Sequence, residues 1–317
     1  IIHIAIIECI GDEMQITRRA VLSAAVSMPV AMASPRFALA EIAIGDATLT
    51  TVSDGHLILP GSFVFDPMPK QELRPILREF QLSDEQLHRE CNISLYRDGT
   101  NIILFDAGSG TDFTPTVGSL IESLDAVDLS PEDITHVVFT HAHPDHIWGV
   151  LDDFDDPLFT EATYMIGRTE WDYWWNPETV NTIDEDSVSF AVGAKRRLEA
   201  IEERVVFFDD GDEILPGISA LATPGHTAGH MSFQVAHGNT SALIAGDAVS
   251  NHHVAFKKPQ WNDGSDQDPE QAAQTRKRLL DQLVSEKMIL LGFHLPGGGI
   301  GRVEATGESY RFIPVDA

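Results

Sequence analysis

The chain has 317 residues, 43% of them apolar and 22% charged, a balance that excludes disordered, collagen-like and coiled-coil polypeptides and leaves enough length to bury a large core. A formal net charge of −28 sets the molecule against phosphate backbones and anionic membrane surfaces, so nucleic acid is not expected as a partner. At the N-terminal end, Met14-Gln15-Ile16-Thr17-Arg18-Arg19 is followed by a small-residue apolar stretch to Ala33 and by Ala38-Leu39-Ala40. Twin arginines, a short apolar segment and an A-x-A site predict a twin-arginine export leader over 1–40, with Met14 as its start and a periplasmic or secreted destination. The apolar stretch is too short to span a bilayer and contains Pro29, so no stable membrane anchor is expected. This segment carries as many cations as anions, so the −28 belongs to 41–317, which is expected to form a single domain.

Within that domain, strand-like runs are read at 47–52, 93–96, 102–105, 136–140, 163–166, 205–208, 218–222, 231–235, 242–245 and 288–291. Helical patterns fall at 115–124, 168–175, 187–202 and 269–283, the last with Pro269 at its first position. Two blocks, 93–210 and 218–291, each carry strand runs ending in His or Asp clusters, which predicts two β-rich halves facing one another. The acidic, Gly-containing segment 260–271 is expected to be a mobile surface loop. Cys9 falls in the leader and Cys91 is expected to be buried and inert, so any metal must be held by His and carboxylate.

The chemistry concentrates at His141-Ala142-His143-Pro144-Asp145-His146, which follows the apolar run Val137-Val138-Phe139. Three His and one Asp at a buried strand end are costly unless they coordinate something. In extended chain, residues i and i+2 share a side, so His141 and His143 close on one cation, and Pro144 turns Asp145 and His146 toward a second. His226 and His230 in Thr223–His230, Asp247 in Ile244–Asp247 and His294 after Gly292-Phe293 follow three further strand-like runs.

This pattern resembles the metallo-β-lactamase superfamily, with its H-x-H-x-D-H signature followed at long range by His, Asp and His. The resemblance implies an α/β four-layer αββα sandwich. It implies that His141, His143 and His226 hold one divalent metal, that Asp145, His146 and His294 hold a second, and that Asp247 bridges them. Zinc is the default for such ligands, with Mn, Co or Fe equally compatible. Asp106 in Phe105-Asp106-Ala107-Gly108 matches the turn whose Asp orients a metal-bound His, while His230 is expected to support the site rather than ligate. His252 and His253 are expected at the surface.

Within the superfamily the tail His294-Leu295-Pro296 through Tyr310-Arg311-Phe312 resembles the methyl parathion hydrolase and lactonase branch, which implies a substrate pocket at Phe113, Trp174 and Phe190. Trp171, Trp174 and Trp175 share a helix face, and core packing reads that face equally well. The expected activity is hydrolysis of lactones, acyl-homoserine lactones included, or of related esters and aryl phosphotriesters, on a small neutral apolar substrate. A hydroxide between the two metals would be the nucleophile, with Asp145 and Asp247 as the catalytic carboxylates that pass a proton to the leaving group. A glyoxalase II-type thioesterase shares the ligand set, and a metal-binding protein without turnover is the non-enzyme alternative. The resemblance allows a homodimer.

Overall fold

A computed structural model describes residues 40–315; the predicted leader with its start at Met14 lies outside them except for Ala40. The first sheet takes β1 (Glu41–Ile44), β2 (Ala47–Pro60), β3 (Gln86–Arg97), β4 (Ile102–Phe105), β5 (His136–Phe139), β6 (Thr163–Gly167) and β7 (Val205–Phe208) side by side in chain order. Its strands are antiparallel as far as β4 and parallel from β4 to β7. The second sheet takes β8 (Glu213–Leu215), β9 (Ile218–Ala222), β10 (Met231–His237), β11 (Thr240–Ile244), β12 (Ile289–Leu291), β13 (Ile300–Thr306) and β14 (Ser309–Pro314), antiparallel except for the β11–β12 pair.

Parallel neighbours need long crossovers, and these carry most of the helices. They are α1 (Gly61–Phe65), α2 (Lys70–Glu79), α3 (Leu120–Asp125), α4 (Pro144–Ile147), α5 (Arg168–Trp175), α6 (Thr179–Thr182), α7 (Val188–Ile201), α8 (Val254–Lys257) and α9 (Pro269–Ser285). None of the described helices is long and apolar enough to cross a membrane.

Period-two alternation along the central strands decides the layering. Phe105, Val138, Ile244 and Leu291 point into a core shared with Phe233 between the sheets. Their neighbours Leu104, Val137 and Phe139 point the other way, against Trp171, Ala194 and Leu198 of α5 and α7. Leu243 and Leu290 do the same against Leu279, Leu280 and Leu283 of α9. Helix, sheet, sheet and helix thus stack as a four-layer sandwich, and the two halves expected from the strand clusters are the two sheets.

The differences from the sequence reading lie at edges. β13 and β14 place Arg302, Glu304 and Arg311 among their apolar residues, which hides a half-exposed hairpin. α2 contains Pro75, which usually ends a helix; here Leu73, Ile76 and Leu77 pack against Leu87 and Val254 and hold it. The pattern at 115–124 yields a helix only from Leu120, because Asp54 holds the backbone N–H groups of Ser119 and Leu120 outside a helical ladder.

Candidate metal centre and cavity

Each His or Asp expected to ligate sits just beyond the C-terminal end of a strand or in the turn that follows it, so the two sheets deliver them to one edge. His141 and His143 leave β5, and Asp145 and His146 lie in α4; His226 follows β9, Asp247 follows β11 and His294 follows β12. Candidate ligand atoms of His141, His143 and His226 lie within 4.8 Å of one another, as do those of His141, His146 and Asp247 and those of Cys91, Asp145 and His294. Nδ1 of His143 is 3.0 Å from Nε2 of His226. Asp247 reaches toward both groups: Oδ2 lies 3.4 Å from His226 Nε2 and 3.2 Å from His294 Nε2, and Oδ1 lies 3.5 Å from His146 Nε2. Asp145 Oδ2 is 3.3 Å from His294 Nε2.

Four atoms aimed into this cluster, His141 Nε2, His146 Nε2, Asp145 Oδ2 and Asp247 Oδ1, are buried without a hydrogen-bond partner. Such groups are expensive to sequester unpaired. Imidazole nitrogens and carboxylate oxygens converging from two sides suit two divalent cations of the zinc, manganese, cobalt or iron type. Without cations the carboxylates and imidazoles compensate one another. Burial would lower His146, but Asp145, Asp106 and Asp247 overcome it and raise His146 to about 9. His294 is likewise driven well above its ordinary value against burial by Asp247 and Asp145. Burial and the neighbouring His226 push His143 down to about 3.

Behind the cluster, four of the five imidazoles, those of His141, His146, His226 and His294, are fixed through their other nitrogen. His146 Nδ1 is 2.8 Å from Asp106 Oδ2, and Asp106 also accepts the N–H and hydroxyl of Thr140, all in the place expected for it. His294 Nδ1–H donates to the Glu90 carbonyl at 2.7 Å. His230 faces away from the ligand cluster: burial holds it neutral, its Nε2 accepts the Asp247 N–H at 3.0 Å, and its Nδ1 lies 2.8 Å from the Thr223 hydroxyl. It therefore aims Asp247.

Two carboxylates that sequence reasoning missed complete the frame. Asp266 accepts from His226 Nδ1 at 2.9 Å and from Arg276 Nη2 at 2.7 Å. Glu170, fully buried in the first turn of α5, bonds to the loops that carry His143 and His226. Neither has a local signal, since an Asp in an acidic loop and a Glu in a first helical turn are what solvated surfaces also contain.

The cluster opens onto a cavity of about 610 Å³ whose apolar wall includes Leu57, Leu59, Phe63, Phe113, Ile183 and Phe190, with Asp184, Glu185 and Asp186 also lining it. Phe190 lies 5.7 Å from the His143 ring and 6.1 Å from Phe113, centroid to centroid. Trp174 departs from the expectation: it is buried behind His143, its indole N–H donates to Glu170, and it does not line the cavity. His253 is also buried rather than at the surface, packed on Phe65 and Phe80, while His252 lies edge-on to Phe80 and half-buried. Nor is 260–271 a free surface loop, because Asp263 is buried beside Arg89 and Asp266 is buried beneath His226. Cys91 is buried as expected, and burial pushes its thiol up to about 12.

Against known proteins, a profile of the metallo-beta-lactamase superfamily matches residues 88–294. The chain is 28% identical over 234 residues to an uncharacterized protein of Mycobacterium bovis, covering 71% of this chain and 91% of that one. It is 26% identical over 185 residues to the N-acyl homoserine lactonase AiiA of Bacillus thuringiensis subsp. kurstaki, covering 55% of this chain and 61% of the lactonase. Among solved structures it is similar to AidC, a dizinc quorum-quenching lactonase in complex with a product, N-hexanoyl-L-homoserine, at a TM-score of 0.82 and 26% identity over 88% of this chain and 98% of that one. The hydrolase AbOPH of the beta lactamase superfamily gives a TM-score of 0.81 at 26% identity with the same coverage.

Proposed function

The chain belongs to the metallo-β-lactamase superfamily and is a metal-dependent hydrolase, and from that premise we propose that it opens lactones, N-acyl homoserine lactones among them, or cleaves related carboxylic esters. The observation that carries this reading is the convergence of five His and two Asp, with buried unpaired ligand atoms, at the floor of an apolar cavity. His141, His143 and His226 would hold one cation, Asp145, His146 and His294 the other, and Asp247 would touch both. Two such cations supply a water ionised at neutral pH and polarise the electrophile's oxygen.

The remaining work belongs to this chain's own groups. The bond from the Asp247 backbone N–H to His230 holds in place the main chain from which its carboxylate projects. Asp145, an ionised carboxylate at the cavity floor, is placed to take a proton from the attacking water and hand it to the departing alkoxide. Phe113 and Phe190 exclude water from an acyl or aryl group lying beside His143. The lining acids Asp184, Glu185 and Asp186 outnumber the lining cation Arg89, which Asp263 faces at 3.6 Å, and so disfavour carboxylates, which weighs against a glutathione thioester. Aryl phosphotriesters, neutral and of similar size, are a second substrate class for the same wall. The twin-arginine motif Arg18-Arg19 supports reading the enzyme as exported to the periplasm or secreted.

The test is a paired kinetic assay on metal-analysed protein. N-acyl homoserine lactones of rising chain length are expected to show kcat/KM rising with length. Asp247→Asn is expected to cut kcat/KM by about 100-fold or more, and Phe190→Ala to flatten the chain-length trend. Turnover of an aryl dimethyl phosphotriester alone would move the assignment to phosphotriesters. Turnover of S-lactoylglutathione alone would move it to thioesters.

A further inference from the structure

Ala142 stands between His141 and His143, while Thr227 and Gly229 follow His226 in the turn after β9, and the Glu170 carboxylate binds all three. Oε1 accepts the Ala142 N–H at 2.9 Å and the Trp174 indole N–H at 2.6 Å; Oε2 accepts the Thr227 hydroxyl at 2.7 Å and the Gly229 N–H at 3.0 Å. The first loop extends from the first sheet and the second from the other, so one side chain clamps the two halves together where they meet at the site. The fit is close: a Cβ at Gly229 would come within 2.1 Å of the Glu170 backbone nitrogen.

A buried carboxylate persists only when its lone pairs are filled, and here each oxygen receives two donors. Three of the four donors are N–H groups that cannot accept, with at least one on each oxygen. An amide at this position would therefore turn its NH2 against an N–H whichever way it flipped. The geometry demands a carboxylate, although Glu170 touches neither the cavity nor a candidate ligand atom.

We propose that Glu170 is the positioning residue of the three-histidine centre: by fixing the spacing of His143 and His226 it sets the affinity for the cation that His141, His143 and His226 hold. Asp145, His146 and His294 are unaffected, because Asp106 and the Glu90 carbonyl hold two of them through separate bonds. The inference rests on the reading of these residues as two metal centres.

The experiment is a zinc titration against a chelator, with metal content per chain measured alongside. Wild type is expected to take up two zinc ions. In Glu170→Gln one site is expected to weaken by about 10- to 100-fold while the other stays within about twofold. Adding Glu170→Gln to His143→Ala is expected to cause no further loss, whereas adding it to His146→Ala is expected to weaken the three-histidine site by the same factor as in the single variant and to leave the site already weakened by His146→Ala unchanged. Weakening shared equally by the two sites, or absent, overturns the proposal. Should Glu170→Gln not fold, Thr227→Val and Trp174→Phe each remove one donor: a several-fold weakening confined to one site supports the proposal, and unchanged affinity overturns it. Wild type binding fewer than two zinc ions overturns the two-centre reading and this inference with it. Two ions with unaltered variants overturns this inference alone.

Discussion

His226 aims Nε2 into the cluster, so its proton sits on Nδ1, and Asp266 is the group that keeps it there. Asp266 is itself pinned by Arg276, whose guanidinium also donates to the carbonyls of Pro259 and Trp261. Asp266→Asn removes a charge and lets an amide N–H face the imidazole N–H. Zinc affinity is expected to fall about 10- to 100-fold, measured by chelator competition, with the folded far-UV spectrum retained. The residues of the cluster itself were legible in the sequence because five His and two Asp at the ends of apolar runs have no cheap alternative use. Asp266, Arg276 and Glu170 were not legible, because their roles arise only when 260–271, α9 and α5 are brought together in space. Trp174 was placed in the pocket by the family resemblance, while its helix face read equally well as core; here its indole N–H turns to the buried Glu170 instead.

At the scale of elements, the runs at 102–105, 168–175, 205–208 and 218–222 emerged with the expected bounds: the three strands are apolar runs of strand length, and 168–175 mixes buried Trp171 and Trp174 with exposed Arg168, Thr169 and Asp172 as a helix at the surface does. β2 was half missed because its register shifts between Ser53 and His56, an irregularity with Asp54 inside it. Asp54 accepts the N–H groups of Ser109 and Leu120 and so ties β2 to the loop after β4 and to the start of α3. Burial raises its carboxyl to about 6 from 3.8. Between those values the folded chain keeps a proton that the unfolded chain has released, so this stabilisation is present at low pH and drains away as pH rises toward 6. The loss is at most roughly 3 kcal/mol. Comparing thermal midpoints of wild type and Asp54→Asn across that window should show wild type losing ground to the variant as pH rises, and the two running parallel above about pH 7.

For the whole molecule, the site joins two sheets whose only shared covalent link, among the described residues, is the backbone between β7 and β8. In the cation-free chain His146, raised to about 9, and His294, raised well above its ordinary value, stay protonated near pH 7.5 and offset Asp145 and Asp247. Cations must displace those protons. Zinc loading at pH 7.5 in weak buffer is expected to release about two protons per chain, read with a pH indicator, and the yield should shrink once the starting pH exceeds about 9. Acidification should correspondingly weaken metal binding, since protons then compete for the same nitrogens.

The close approach of α9 to the His226 turn bears on how such an enzyme can change. A Cβ at Gly225 would meet the Ala272 backbone nitrogen at 2.2 Å, and Asp266 and Asp268 bind the same turn from below. That side of the cavity cannot be redrawn without displacing His226. The opposite side, built by Ile183 to Phe190, supplies none of the seven metal-facing residues. New substrates should therefore be acquired through substitutions and length changes in 183–190, while 260–271 resists both, leaving the enzyme with one wall open to selection and one held fixed by its own chemistry.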